Sequence, residues 1–252
     1  MSRNLDGVRA LVTGASKGIG VAICERLAAE GARIVASGRD ATALDRLAHG
    51  LESRHGADTV LVTADLADAH AVTPLADAAW QAFDGLDLLV NNAGMSITGP
   101  ATAMSRADWD TVMAVNLHSP AMLAADLGGR MADADGGRIV TIGSAAALRA
   151  LPEHYAYCAS KAALVMATRV LALELGPRGV RANSICPTVV LTEMGTRVWG
   201  DAAKSAPMLA RIPAGHFAMP EDVAAAVAYL ASPAAEIING TELVLDGGYL
   251  AT

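Results

Sequence analysis

RALVTGASKGIGVAICERLAAEG, residues 9 to 31, reads as a strand, a glycine turn and a helix with nothing between them. RALVTG (9–14) is a short run of consecutive apolar positions, as in strands buried on both faces. IGVAICERLAAEG then takes helical spacing and stops at Gly31, where a helix end is expected to place a glycine. The connection is TGASKGIG (13–20). Gly14, Gly18 and Gly20 allow a tight turn and the close approach of a diphosphate to backbone N–H groups at a helix N-terminus. The spacing is G-x-x-x-G-x-G, not the G-x-G-x-x-G of the commonest dinucleotide fingerprint. A glycine turn alone says little; its place directly after the first strand is what gives it weight.

The same alternation continues to the end of the chain. ARIVASG (32–38), TVLVTAD (59–65), DLLVNNAG (87–94), RIVTIGS (138–144), VRANSICP (180–187) and TELVLDGG (241–248) read as six further strands, separated by segments of helical period. Alternating β and α predicts an α/β fold of the Rossmann type: a doubly wound, seven-stranded parallel sheet with helices on both faces. No linker or low-complexity segment interrupts the series, so residues 1–252 are read as one domain. Ligands in such a sheet bind beyond the carboxyl ends of its strands. The longest segment without a strand, about 188–220, holds Trp199, several Met and the breakers Gly195, Gly200, Pro207 and Pro213. It is read as a substrate-binding loop or lid.

Composition narrows the function classes. The chain is 53% hydrophobic and 18% charged, with a net charge of −7. Nucleic acid and anionic membranes both reward a basic face, so neither is the expected partner. Cys24, Cys158 and Cys186 are odd in number and far apart, without zinc-ligand spacing, which speaks against a disulfide framework and a metal site. The N-terminal segment lacks the apolar core of a signal peptide, and no uncharged run reaches membrane-spanning length. A reduced, cytoplasmic protein is expected.

The end of the second strand bears on the cofactor. An acid there accepts bonds from a free ribose 2′-hydroxyl, whereas basic residues neutralise a 2′-phosphate. Here the strand ends Ala36-Ser37-Gly38-Arg39, with Asp40 as the first acid. Lys17, in the glycine turn, reaches the same place from the other side. Two cations favour NADP(H), and NAD(H) stays open because Arg39 can instead stack on adenine or pair with Asp40.

YAYCASKAAL (155–164) holds two tyrosines and one lysine. Tyr157 and Lys161 are four residues apart and share one helix face; Tyr155 has only Ala159 at that offset. A phenol has an ordinary pKa of roughly 10, too high for a base near neutrality. A neighbouring ammonium and an oxidised nicotinamide ring both favour the phenolate and lower that value. Tyr157 then protonates a carbonyl oxygen as hydride arrives, or deprotonates an alcohol in reverse. Ser144, at the end of the fifth strand, stabilises charge on the same oxygen.

TGASKGIG, NNAG (91–94), Asn116, Ser144 and Tyr157-x-x-x-Lys161 resemble, in order and spacing, the short-chain dehydrogenase/reductase family, over the whole chain to Asp246-Gly247-Gly248. The resemblance implies a catalytic set of Asn116, Ser144, Tyr157 and Lys161. In it Lys161 also holds the nicotinamide ribose and Asn116 relays protons through water. It implies cofactor contacts at Gly14, Ser16, Lys17, Gly18, Ile19 and Gly20, at Arg39, and at Asp65 with Leu66 beside the adenine. Asn92, Ala93 and Gly94 would pass the adenosine ribose, and Val190 and Thr192 the carboxamide. One departure is Pro187-Thr188, where many relatives have Pro-Gly.

YCASK, ALELGP, CPTVVLTEMG and ARIPAGHFA are similar to the tetrameric carbonyl reductases of the dicarbonyl/L-xylulose type. That subgroup implies NADPH, α-dicarbonyl or ketose substrates and a homotetramer packed through helices near 109–132 and 157–175. Ala145, Leu151, His154, Met194 and Trp199 would face the substrate. Ala145 is smaller and less polar than the glutamine of xylulose reductases, which admits a more apolar ketone. The expected activity is hydride transfer between NADP(H) and a small ketone or secondary alcohol. The alternatives are an NAD-dependent polyol or secondary-alcohol dehydrogenase, a 3-oxoacyl-carrier reductase using Arg149 and Arg197, and a non-catalytic dinucleotide sensor.

Overall fold

The computed structural model describes residues 4–192, 195–196 and 199–252. Seven strands form one parallel sheet: β1 (Arg9–Thr13), β2 (Arg33–Gly38), β3 (Thr59–Thr63), β4 (Leu88–Asn91), β5 (Gly137–Ile142), β6 (Val180–Pro187) and β7 (Glu242–Leu245). Their order in space is β3-β2-β1-β4-β5-β6-β7. The order reverses between β1 and β4, which opens a crevice at their carboxyl ends. All seven expected strands are present. Several end earlier than the apolar runs suggest: β3 stops before Ala64-Asp65, β4 includes only the first residue of NNAG, and β5 stops before Ser144. The apolar and small residues beyond these ends form the loops of the ligand edge instead.

Alternation along the strands divides the core in two. Ala10 and Val12 of β1 face α1 (Ile19–Ala29), α2 (Ala41–His55) and, through Val223 and Val227, a late helix Pro220–Ala231. Leu11, between them, faces the other way, into a cluster with Leu75 and Ala79 of α3 (Val72–Ala82) and with Leu123 and Leu127. A two-residue period places neighbours on opposite faces, and the sheet is covered on both. At the opposite edge from the crevice, the Arg9 guanidinium donates to both Asp87 carboxylate oxygens, at 2.9 and 2.7 Å, and ties β1 to the start of β4.

The segment expected to give a helix near 109–132 is three pieces: α4 (Arg106–Met113), a π-helical turn Ala114–His118 and α5 (Ser119–Asp133). The next helix, α6 (Tyr155–Leu175), buries Ala156, Ser160, Lys161, Leu164, Val165, Thr168 and Ala172 as one stripe. Removing the Leu164 side chain from that stripe would cost about 2–5 kcal/mol. By length and composition α6 would cross a membrane, but its stripe packs on the sheet. After β6 come α7 (Ala202–Leu209), inside the expected lid, and α8 (Pro220–Ala231).

Candidate active site

The turn from β1 into α1 is built around missing side chains. Gly14 has φ +66°, and a Cβ there would lie 2.9 Å from the Ala93 Cα. A Cβ on Gly20 would lie 2.8 Å from Asn92 Nδ2 and closer still to the Gly14 carbonyl. Asn92 is what draws these pieces together: its Nδ2 donates to the Thr13 and Gly14 carbonyls at 2.8 and 3.2 Å. Thr13 Oγ1 in turn accepts from the N–H groups of Asn92 and Ala93 at 3.0 and 3.1 Å. NNAG is therefore a clamp on the glycine turn as well as a wall of the crevice. The first turn of α1 carries no acidic residue and no side-chain cap, which leaves its N–H groups open toward an anion. Ser16 packs where a side chain on Gly38 would stand, and Thr192 lies against bare Gly18 from the far side.

Ser144, Tyr157, Lys161 and Asn116 meet at the ends of β4 and β5. Ser144 follows β5 by two residues and caps the short helical turn Ala145–Ala147, its Oγ accepting from Ala146 N at 3.1 Å. Burial raises the Tyr157 pKa above its ordinary value, and a hydrogen bond with Ser144 opposes that. Lys161 is 3% exposed; burial pulls its pKa down to about 8. Its Nζ donates to the Ile142 carbonyl at 2.7 Å and stands 5.9 Å from the Tyr157 ring centre. The expected lowering of the tyrosine by the lysine is thus not what this chain achieves by itself. Burial is the largest influence on both groups, and for the phenol it opposes ionisation.

Asn116 is fully buried in the π-helical turn. Its Oδ1 accepts from Met95 N at 2.9 Å, and its Nδ2 donates to Met95 O at 2.8 Å and Ser160 Oγ at 3.2 Å. A Cβ placed on Gly94 would meet Lys161 Nζ at 3.4 Å and Asn116 Oδ1 at 3.6 Å. Gly94 therefore separates the lysine from the asparagine by the thickness of a bare backbone. A single extra residue per turn, as in a π-helix, redirects a side chain this way.

Beside Ser144 lies a third, mostly apolar cluster of Ala145, Ile212, Phe217 and Tyr249, with Leu151, Val189, Leu191 and Trp199 packed against it. Trp199 sits 5.8 Å from Phe217, ring centre to ring centre. His154 lies edge-on to Tyr157 at 6.0 Å. Its Nδ1 is 2.7 Å from the Pro152 carbonyl, an acceptor only, so Nδ1 carries the proton and Nε2 of the neutral ring is left to accept. Met194 falls outside the described residues, as does Arg197. Tyr155 is 53% exposed and packs at a tilt against Trp109, ring centres 5.2 Å apart.

Other expectations are redirected. Asp40 does not pair with Arg39; it caps α2, accepting from Ala43 N at 2.9 Å. Arg39 instead stands 3.9 Å from Asp65, a long contact between exposed groups worth little. Asp65 also accepts from Ala67 N at 3.1 Å, while Leu66 is buried and its carbonyl accepts from Ser119. Ile19 and Val190 pack at the edge of the first core, and Lys17 is exposed. Arg149 is committed to the chain's own end, donating to the Tyr249 and Thr252 carbonyls at 2.8 Å, so it is not free for an acyl-carrier arm. Sequence reading missed Phe217, Tyr249 and the Ile142 carbonyl. The rule that ligands gather beyond strand ends applied equally to the residues after β7.

These features fit a nicotinamide dinucleotide: a bare-glycine cradle against an open helix start, then a lysine and a tyrosine at the far end of the same edge. A family model described as enoyl-(acyl carrier protein) reductase matches residues 14–250. A D-threitol dehydrogenase of Mycolicibacterium smegmatis is 47% identical over 97% of this chain and 94% of its own. An L-xylulose reductase of Bos taurus is 40% identical over the full length of both chains. An NAD-dependent glycerol dehydrogenase of Listeria innocua is 37% identical over 98% and 95%. Among solved structures, one from Beutenbergia cavernae, described as an NAD(P)-dependent gluconate 5-dehydrogenase with bound NADP at low occupancy, superposes with TM-score 0.92 at 38% identity, each chain covered in full. The chain belongs to the short-chain dehydrogenase/reductase family and is an oxidoreductase that transfers hydride between a nicotinamide dinucleotide and a ketone/alcohol pair.

Proposed function

We propose that the chain interconverts a small ketose or α-dicarbonyl compound and its alcohol with NADP(H), Tyr157 moving the proton. The observation that carries this is the meeting of Ser144, a half-buried Tyr157 and a buried Lys161 at the ligand edge. The turn around Gly14, Ser16, Gly18, Ile19 and Gly20 would hold the diphosphate, Arg39 and Lys17 the 2′-phosphate, Asp65 and Leu66 the adenine, and Asn92 to Gly94 the adenosine ribose. Lys161 would hold the nicotinamide ribose, with Val190 and Thr192 at the carboxamide. When bound, the dinucleotide supplies the hydride for reduction or takes it up in oxidation. Tyr157 gives its phenolic proton to the carbonyl oxygen, and the Ser144 hydroxyl donates to that oxygen as charge builds. Lys161 is about nine-tenths protonated at pH 7, given a pKa near 8, and stabilises the phenolate left behind. Asn116, across Gly94, would connect Lys161 to solvent through water, by which the replacing proton arrives.

A second reading is NAD-dependent polyol oxidation. The NAD-dependent glycerol dehydrogenase relative favours it. We also propose a homotetramer in the cytoplasm. The outer faces of α5 and α6 leave Met122, Met166, Val170 and Leu173 exposed, large apolar side chains that a neighbouring subunit would cover. The test is fluorescence titration with NADPH and NADH, followed by turnover of L-xylulose, diacetyl and D-threitol. NADPH binding at least about tenfold tighter supports the charge reading; preference for NADH overturns it in favour of polyol oxidation.

A further inference from the structure

The serine before Lys161 stands outside the reacting set, yet it touches that set at two points. Ser160 is fully buried in α6. Its hydroxyl donates to the Tyr157 carbonyl at 2.9 Å, one turn back along the helix. That back-bond is an ordinary habit of helical serines. The second contact is not local: Ser160 Oγ accepts from Asn116 Nδ2 at 3.2 Å, across 44 residues of sequence. With its proton given to Tyr157, the hydroxyl offers only lone pairs. It therefore holds the amino side of the Asn116 amide and not the carbonyl side.

That choice of side bears on the reaction. Both Nδ2 hydrogens are taken, by Ser160 Oγ and by the Met95 carbonyl, while Oδ1 accepts from Met95 N. Oδ1 keeps a second lone pair. It borders the same point beside Gly94 as Lys161 Nζ does: a Cβ on Gly94 would stand 3.6 Å from the one and 3.4 Å from the other. We propose that Ser160 is a positioning residue for proton transfer, its hydroxyl fixing the Asn116 amide so that an acceptor oxygen, not an amino group, faces the Lys161 ammonium across Gly94. Met95 grips one edge of the amide, and Ser160 stops it from swinging about that edge. One turn of α6 then carries Tyr157, its lysine and the group that orients the lysine's partner. The inference rests on the reading above that Tyr157 gives the proton and that Lys161 and Asn116 restore it.

The test is Ser160→Ala beside Ser160→Thr, followed on whichever ketone and dinucleotide the wild-type enzyme turns over fastest. Threonine in a helix places its Oγ1 on the carbonyl three residues back, so it keeps both contacts. For alanine the expected result is a kcat lowered about tenfold, with KM and dinucleotide affinity within about twofold. The solvent deuterium isotope effect on kcat should grow, because proton delivery has become slower. Threonine should restore kcat to within about twofold of wild type. In an Asn116→Ala background, Ser160→Ala should have no further effect, since both act through one amide. An alanine variant with wild-type kcat would overturn the proposal. So would a loss that persists undiminished in the Asn116→Ala background, or one that threonine shares together with a lowered melting temperature, the mark of packing alone. A Tyr157→Phe variant that keeps kcat within about tenfold would refute the proton-transfer reading itself, and this inference with it.

Discussion

Replacing Lys161 by methionine should make the protein more stable and nearly inactive. Lys161 is 3% exposed, and burial lowers its pKa from 10.5 to about 8. That interval corresponds to roughly 3 kcal/mol spent at neutral pH on keeping an ammonium out of water. Methionine has similar length and no charge. The change leaves the Ile142 carbonyl without its 2.7 Å donor, a loss of about 1 kcal/mol. The balance is about 2 kcal/mol in favour of the variant at pH 7, a rise in Tm of about 4–8 °C for a chain of this size. The pH dependence follows from the direction of the shift. Between pH 8 and 10.5 the unfolded chain holds more protons at this site than the folded one, so wild-type stability gains with rising pH and the variant does not. The variant's advantage should therefore shrink through that window and reverse near its top. Guanidinium unfolding of both proteins without cofactor, at pH 7 and pH 10, measures it. A variant less stable than wild type at pH 7, or an advantage that does not narrow with pH, would refute the reasoning.

Three further outcomes follow from particular contacts. Gly20→Ala drives a methyl group into the Gly14 carbonyl and Asn92; dinucleotide affinity should fall at least about tenfold, measured by fluorescence titration. Arg39→Leu should weaken NADPH about tenfold while leaving NADH unchanged, and equal losses would show that Arg39 serves the adenine instead. Because burial raises the Tyr157 pKa, ketone reduction should favour the acid side of the pH range and alcohol oxidation should climb into the alkaline range, read from kcat/KM profiles in both directions.

The frame and the reacting groups were legible because they rest on patterns within one element. Apolar runs located all seven strands, though not all of their ends, and the four-residue interval placed Tyr157 and Lys161 on one face of α6. What escaped depends on distances between segments. That Asn92 clamps the glycine turn comes from Thr13 and Gly14, some eighty residues earlier. Arg149 and Tyr249 meet across a hundred residues, and nothing in either local stretch announces it. Burial of the lysine and its effect on both groups were not legible either, because spacing shows a nearby cation but not its depth. The neighbour of Tyr155 was equally out of reach of local spacing: it packs against Trp109, forty-six residues earlier.

The central claim is that Tyr157 carries the proton. Tyr157→Phe keeps the ring beside Lys161 and His154 and removes only the phenolic oxygen. The account predicts that kcat for ketone reduction falls by about a thousandfold or more while NADPH binds with unchanged affinity. A variant that keeps kcat within about tenfold of wild type would contradict it, and would mean that another group or water delivers the proton.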